Sequence, residues 1–101
     1  MSFKLGFLEQ ALKEWRKLDG GTRAQFKSKL IERLENPRVP SARLHGHRDR
    51  YKIKLRGIGY RLVYEVRDGE LIVVVIAVGR RDRNAVYASA AARQRGKPDY
   101  R

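Results

Sequence analysis

The spacing of apolar side chains in the first third of the chain predicts one strand followed by two helices. Residues 3–7 alternate between apolar and small or polar side chains, which is the period of a half-buried strand. Residues 8–18 carry apolar side chains at helical spacing and end at a glycine pair. A second helix is predicted to begin at Thr22, which forms a capping-box pattern with Gln25, and to stop before Pro37.

The middle of the chain has the pattern of three strands joined by hairpins. Residues 51–55 alternate strictly between apolar and polar side chains, and residues 60–66 make a second alternating run in which Val63 lies on the face of Arg61 and Glu65. The dipeptide Asp68-Gly69 is a strong hairpin-turn signal. It leads into the apolar run 71–78, which predicts a strand that is buried on both faces and ends at Gly79.

The order of these elements indicates the fold class. An alanine-rich segment, 84–93, predicts a short last helix. A strand, a two-helix hairpin, a three-stranded antiparallel meander and a short C-terminal helix make an α+β fold with a largely antiparallel sheet. We therefore expect a single domain over residues 1–93 and a basic, frayed tail over residues 94–101.

The register of the first hairpin places like charges together. A four-residue loop at 56–59 sets apolar residues opposite apolar residues, and it sets Lys54 directly opposite Arg61 with Lys52 diagonal to it. Like charges facing each other across a sheet cost a few tenths to about 1 kcal/mol, so three cations without a nearby carboxylate indicate a phosphate-binding surface. A solvated strand face that discourages edge-to-edge aggregation is the alternative that the pattern leaves open.

A second basic cluster follows the last strand. If Arg67 pairs with Glu70 across the second turn, Ile76 lies beside Arg61 and Arg81 lies a short distance beyond. The ring of Tyr87 on the following helix would then lie near these cations, an arrangement that suits single-stranded nucleic acid. A packing role for the Tyr87 side chain also remains open.

Composition favours a polyanionic partner. The 101 residues include 24 Lys+Arg against 11 Asp+Glu, a formal net charge of +13, and the excess is concentrated at residues 43–61 and 80–101. Nucleic acid is the first candidate partner and a membrane surface the second. There is no apolar run of about 20 residues, which argues against a membrane span. The absence of cysteine excludes disulfides and thiolate sites, so we expect an intracellular, cytoplasmic protein.

The motifs of metal-dependent enzymes are missing from the sequence. There is no phosphate-binding loop of the GxxxxGK type, and no pair of carboxylates has metal-ligand spacing. His45 and His47 lie two residues apart without a carboxylate or cysteine cluster to complete a site. We therefore expect no metal and no cofactor.

Several segments together resemble the RelE toxins of bacterial toxin–antitoxin systems, and the resemblance runs from about residue 3 to residue 92. The matching segments are ALKEWRKL at 11–18, YKIKLR at 51–56, GYRLVY at 59–64, VGRR at 78–81 and Val86-Tyr87. The resemblance implies a RelE-like microbial ribonuclease-type fold and a ribosome-dependent endoribonuclease that cleaves messenger RNA in the A site. It also implies a RelB-like antitoxin that neutralises the toxin, and binding to operator DNA only as the toxin–antitoxin complex.

The resemblance also implies a set of catalytic residues: Lys52, Lys54, Arg61, Arg81 and Tyr87. Further basic side chains are expected to contact messenger RNA or the 16S RNA of the 70S ribosome: Arg43, His45, Arg48, Arg50, Arg56, Arg80 and Arg83. His45 departs from the family, where an arginine usually precedes the glycine that is Gly46 here.

The expected reaction is attack of a ribose 2′-hydroxyl on the adjacent phosphate, leaving a 2′,3′-cyclic phosphate and a 5′-hydroxyl. Lys52 or Lys54 is the expected general base, because crowding by cations lowers a lysine pKa. Arg61 and Arg81 would hold the non-bridging oxygens, and Tyr87 would stack on a base. Two other classes remain open: a toxin on the same scaffold that poisons DNA gyrase, as the ParE group does, and a basic nucleic-acid-binding module without catalysis.

Overall fold

The computed structural model describes residues 2–80, 82, 85–93 and 99–100. It has the α+β architecture that the sequence predicts, with two helices after the first strand and a third helix after the meander. The elements are β1 Lys4–Phe7, α1 Glu9–Arg16, α2 Gly20–Glu35, β2 Arg50–Leu55, β3 Tyr60–Arg67, β4 Ile72–Arg80, α3 Ala85–Ala92 and β5 Asp99–Tyr100, with short 3-10 turns at Pro40–Ala42 and Asp68–Glu70.

The strands form one sheet in the order β2-β3-β4-β1-β5. The meander of β2, β3 and β4 is antiparallel as predicted, and β1 adds to it in parallel with β4. The residues of β4 from Ile72 to Val78 are all buried, which confirms the prediction of a strand covered on both faces. The short strand β5, antiparallel to β1, is an element that the sequence did not predict. The predicted domain boundary at residue 93 stays a prediction.

Helices α2 and α3 lie on opposite faces of the sheet. The hydroxyl of Tyr64 accepts a hydrogen bond from Arg33 of α2. The neighbouring Glu65 points the other way and pairs with Arg50, which donates to the carbonyl of Ala90 in α3. The α2 face therefore carries the large aromatic core, whereas the α3 face carries charged side chains.

The second helix begins earlier than predicted. Its N-cap is Asp19 and not Thr22. The Asp19 side chain accepts a hydrogen bond from the backbone N–H of Thr22 at 2.7 Å. This bond and the associated contacts lower the pKa of Asp19 below its ordinary value. The glycine pair at 20–21 therefore forms the first turn of α2, because the carboxylate satisfies an N–H group that the helix leaves free. The helix ends at Asn36 as predicted.

The predicted turn of the second hairpin is wrong. Arg67 pairs with Ile72 and not with Glu70, so the connection is four residues long instead of two. The reason lies at Leu71, which has left-handed dihedral angles (φ 55, ψ 45) and closes a 3-10 turn. A two-residue hairpin turn needs a different backbone path.

An irregularity in the β3–β4 ladder shifts the register further. It lies between Val63 and Tyr64, where one residue of β4 has no pairing partner in β3. The bulge and the longer turn together place Gly79 beside Arg61, in place of the predicted Ile76. Because glycine has no side chain, none projects from the sheet at this position next to Arg61.

A candidate nucleic-acid interface

The first hairpin has the predicted register. Lys54 lies directly opposite Arg61, and Leu55 lies opposite Tyr60. The crowding lowers the pKa of Lys54 from its ordinary value, first through the charge of Lys52, then through burial, and then through the charges of Arg56 and Arg61. The hairpin therefore presents a lysine whose neutral form is easier to reach than that of an isolated lysine.

Arg61 is a buried cation without a counter-charge in the described part of the chain. Its side chain is only 7% exposed, and its one hydrogen bond to described atoms goes to the backbone carbonyl of Tyr60 at 3.0 Å. No described carboxylate lies within ion-pair distance of it. Because a buried charge is costly unless it is paired, the site favours an anion beside Arg61.

Lys52 and Lys54 also line a cleft at the outer edge of β2. Its volume is about 270 Å³, and the other lining residues are Arg33, Ser41, Ala42 and Arg56. Sequence reasoning missed Arg33 and Ser41. They come from α2 and from the turn after it, and no periodicity in the sequence predicts how closely these segments approach β2.

The start of α3 lies over the same end of the sheet. A Cβ built on Gly79 would meet a methyl of Val86 at 3.3 Å, so this helix packs closely against the strand position beside Arg61. Tyr87 follows Val86 in the helix and is half-buried against the core. The packing role for Tyr87 and a place near the cations are thus compatible.

Arg50 does not join this cationic surface. Its side chain is buried, and its Nε lies 3.3 Å from a carboxylate oxygen of Glu65. The same guanidinium donates to the carbonyl of Ala90 and, at 2.9 Å, to that of Arg93 at the end of α3. Glu65 also binds Arg67 at 2.8 Å. The structure therefore gives Arg50 the role of a clamp between β2 and α3.

The other basic residues predicted to bind RNA lie on the surface wherever they are described. Arg43, His45 and Arg48 are exposed in the loop before β2, and Arg56 is exposed after it. The exposed Arg80 at the end of β4 is stacked over the ring of Tyr60, with 5.8 Å between the guanidinium carbon and the ring centroid. The predicted residues Arg81 and Arg83 lie outside the described residues.

Neither a metal cluster nor a membrane span is found in the part of the chain that the structure describes. No group of three or more His, Asp or Glu side chains there could hold a metal ion. None of the described helices is long and apolar enough to cross a bilayer.

Comparison with known proteins identifies close relatives. Residues 5–85 match a family model described as the ParE toxin of the type II toxin–antitoxin system parDE. The mRNA interferase toxin RelE of Escherichia coli K12 is 54% identical over 93 residues, which cover 92% of this chain and 98% of the relative.

Solved structures of E. coli RelE are also similar to this chain. A doubly substituted E. coli toxin RelE in the free state superposes with a TM-score of 0.84 at 52% identity, covering 90% of this chain and 96% of that one. The toxin of the intact E. coli RelBE toxin–antitoxin complex superposes with a TM-score of 0.78 at 54% identity, covering 81% of this chain and all of that one.

Proposed function

This chain belongs to the RelE toxin family of type II toxin–antitoxin systems, and from this premise we propose that it is an mRNA interferase. It acts as a ribosome-dependent endoribonuclease, cleaving messenger RNA in the ribosomal A site and so stopping translation. The family expected from the sequence is confirmed, and the activity agrees with the name of the E. coli relative.

The observation that carries the proposal is the pair of cations across the first hairpin. Lys54 has a lowered pKa, and Arg61 is buried opposite it without a described carboxylate partner. A lysine with a lowered pKa reaches its neutral, proton-accepting form more easily than an ordinary lysine, and a fixed arginine can stabilise charge on a phosphate. The pair therefore supplies two of the functions that phosphodiester cleavage requires.

In the proposed mechanism, Lys54 takes the proton of the ribose 2′-hydroxyl, and the 2′-oxygen attacks the adjacent phosphorus. Arg61 holds a non-bridging oxygen, and Lys52 holds the backbone phosphate. The bond from phosphorus to the 5′-oxygen then breaks, which leaves a 2′,3′-cyclic phosphate and, after the 5′-oxygen takes a proton from solvent, a 5′-hydroxyl. Arg81 supports the leaving oxygen and Tyr87 stacks on a base; both assignments rest on the sequence resemblance.

The surface cations around this site are proposed to bind the ribosome. Arg43, His45, Arg48, Arg56 and Arg80 are exposed and, together with Arg83 outside the described residues, would contact the 16S RNA of the 70S ribosome or the messenger RNA. Because such contacts release counterions, cleavage should weaken as salt rises. Arg50 is left out of this set because its guanidinium is engaged inside the protein.

A RelB-like antitoxin is the proposed protein partner. The E. coli toxin that resembles this chain is found in a complex with its antitoxin. A net charge of +13 also favours an acidic partner that would cover the RNA-binding surface. The toxin would reach operator DNA only as part of this complex, and it would act in the cytoplasm, where messenger RNA is translated.

One assay separates the proposed activity from the two alternatives. Purified protein is added to ribosomes translating a defined message, the RNA ends are mapped, and DNA gyrase is assayed in parallel. We expect cuts within the A-site codon. Gyrase inhibition without cuts would support a ParE-like toxin, and ribosome binding without cuts would support a non-catalytic module; either result would overturn the proposal.

A further inference from the structure

The cleft beside β2 contains a cation, Arg33, to which the proposed function gives no role. Arg33 reaches from α2 to the edge of the sheet, where its Nη1 donates to the backbone carbonyl of Lys52 at 3.3 Å and to the hydroxyl of Tyr64 at 2.8 Å. Its guanidinium carbon lies 5.7 Å from the centroid of the Tyr64 ring. These contacts fix the guanidinium at the wall of the cleft.

Both acceptors of Arg33 are neutral. Burial raises the pKa of Tyr64 above its ordinary value although Arg33 opposes the shift, so the phenol keeps its proton at pH 7. No carboxylate among the described residues pairs with Arg33. An arginine has five N–H donors, and the two bonds from Nη1 leave the Nε and Nη2 donors without a partner among the described residues and so open to a ligand.

The surroundings of Arg33 suit a second anion. Ser41 adds a hydroxyl donor, and the cleft is lined by four cations and by no carboxylate among the described residues. Lys52 and Lys54 lie two residues apart on one strand, a separation of about 7 Å. Cations at this separation can each hold one of two consecutive phosphates of an extended single strand.

We propose that Arg33, Ser41 and Arg56 form a second phosphate subsite, which binds the phosphodiester next to the scissile one in single-stranded RNA. This inference rests on the proposed function and names a further part of the same substrate. The subsite would bind and align the RNA strand and would take no part in the chemical step, because the reacting atoms lie beside Lys54 and Arg61.

The test uses an RNA trinucleotide with 2′-deoxy residues, which cannot be cleaved by 2′-hydroxyl attack. In matched ligands, a neutral methylphosphonate replaces the phosphate on one side or the other of the central position. We compare their affinities for the wild type, for Arg33→Gln and for Lys17→Gln, which removes the same charge from an exposed site after α1.

We expect one of the two methylphosphonates to weaken binding to the wild type and to Lys17→Gln by about tenfold, as loss of a charge-assisted hydrogen bond does. The same replacement should have almost no effect in Arg33→Gln, because the partner of that phosphate is already absent. An equal loss in all three proteins would overturn the subsite.

A second variant guards against a loosened fold, because Arg33 also contacts Tyr64. Arg56 is exposed, so Arg56→Gln should fold normally and should reduce the methylphosphonate effect as well. If neither variant reduces it, the subsite is refuted. If these variants lose the methylphosphonate effect but the wild-type protein does not cut messenger RNA on ribosomes, the nuclease is refuted and the subsite is supported.

Discussion

Replacing Arg50 with Met separates a structural role of this residue from a role in binding RNA. The substitution keeps the length of the side chain and removes the guanidinium that joins Glu65 to the last carbonyls of α3. Removing one partner of a buried ion pair costs about 3–5 kcal/mol when a charge is left unpaired. Here Glu65 keeps Arg67 at 2.8 Å, so we expect the lower end, about 3 kcal/mol.

A loss of about 3 kcal/mol lowers the melting temperature of a domain of this size by roughly 12–24 °C. Thermal unfolding followed by circular dichroism measures this change, with Arg48→Met as the matched control because Arg48 is exposed. Hydrogen exchange should show that the α3 amides lose protection before those of β4. The residual folded protein should bind RNA with an unchanged salt dependence.

The opposite pattern would assign Arg50 to RNA binding. A melting temperature within about 2 °C of the wild type, together with a salt slope for RNA binding smaller by about 0.7, would identify Arg50 as a phosphate contact. The position of Arg50 in the fold would then be a poor guide to its role.

Three further predictions concern single residues. Lys52→Gln should raise the pKa of Lys54 towards its ordinary value, because Lys52 is the largest cause of the shift; NMR titration of the Lys54 side chain measures this, and an unchanged value would contradict it. Asp19→Ala should lower the melting temperature at pH 7 by more than at pH 2. The folded pKa of Asp19 lies below its ordinary value of 3.8, so its stabilisation is complete above that value and is lost as the pH falls through the folded pKa. Equal effects at both pH values would argue against the cap. Gly79→Ala should cost about 1 kcal/mol and loosen α3, because the new methyl would lie 3.3 Å from a Val86 methyl; urea unfolding unchanged from the wild type would exclude this contact.

The first hairpin could be predicted from the sequence because each strand alternates with period two. Only one register then pairs apolar with apolar residues, and it brings Lys54 opposite Arg61. The second hairpin could not be predicted in the same way. The apolar run of β4 is buried on both faces, so every register satisfies the hydrophobic pattern, and the left-handed Leu71 sets the length of the turn.

Only part of the candidate site could be predicted from the sequence. Alternation places Arg50, Lys52 and Lys54 on one face of β2, yet of these three only Arg50 is hydrogen-bonded to the described end of α3. Which strand residues a helix contacts depends on tertiary packing, and the alternation along the strand does not indicate it. Arg33 was missed for the same reason, since its contact with Lys52 spans 19 residues of sequence.

In the proposed mechanism, Lys54 removes the proton of the attacking hydroxyl. The most direct test is the pH dependence of single-turnover messenger cleavage on programmed ribosomes, for the wild type and for Lys54→Ala. We predict that Lys54→Ala cleaves at least about 100-fold more slowly and loses the rise in rate that deprotonation of Lys54 produces. Cleavage by Lys54→Ala at the wild-type rate, with the same pH profile, would show that Lys54 is not the general base.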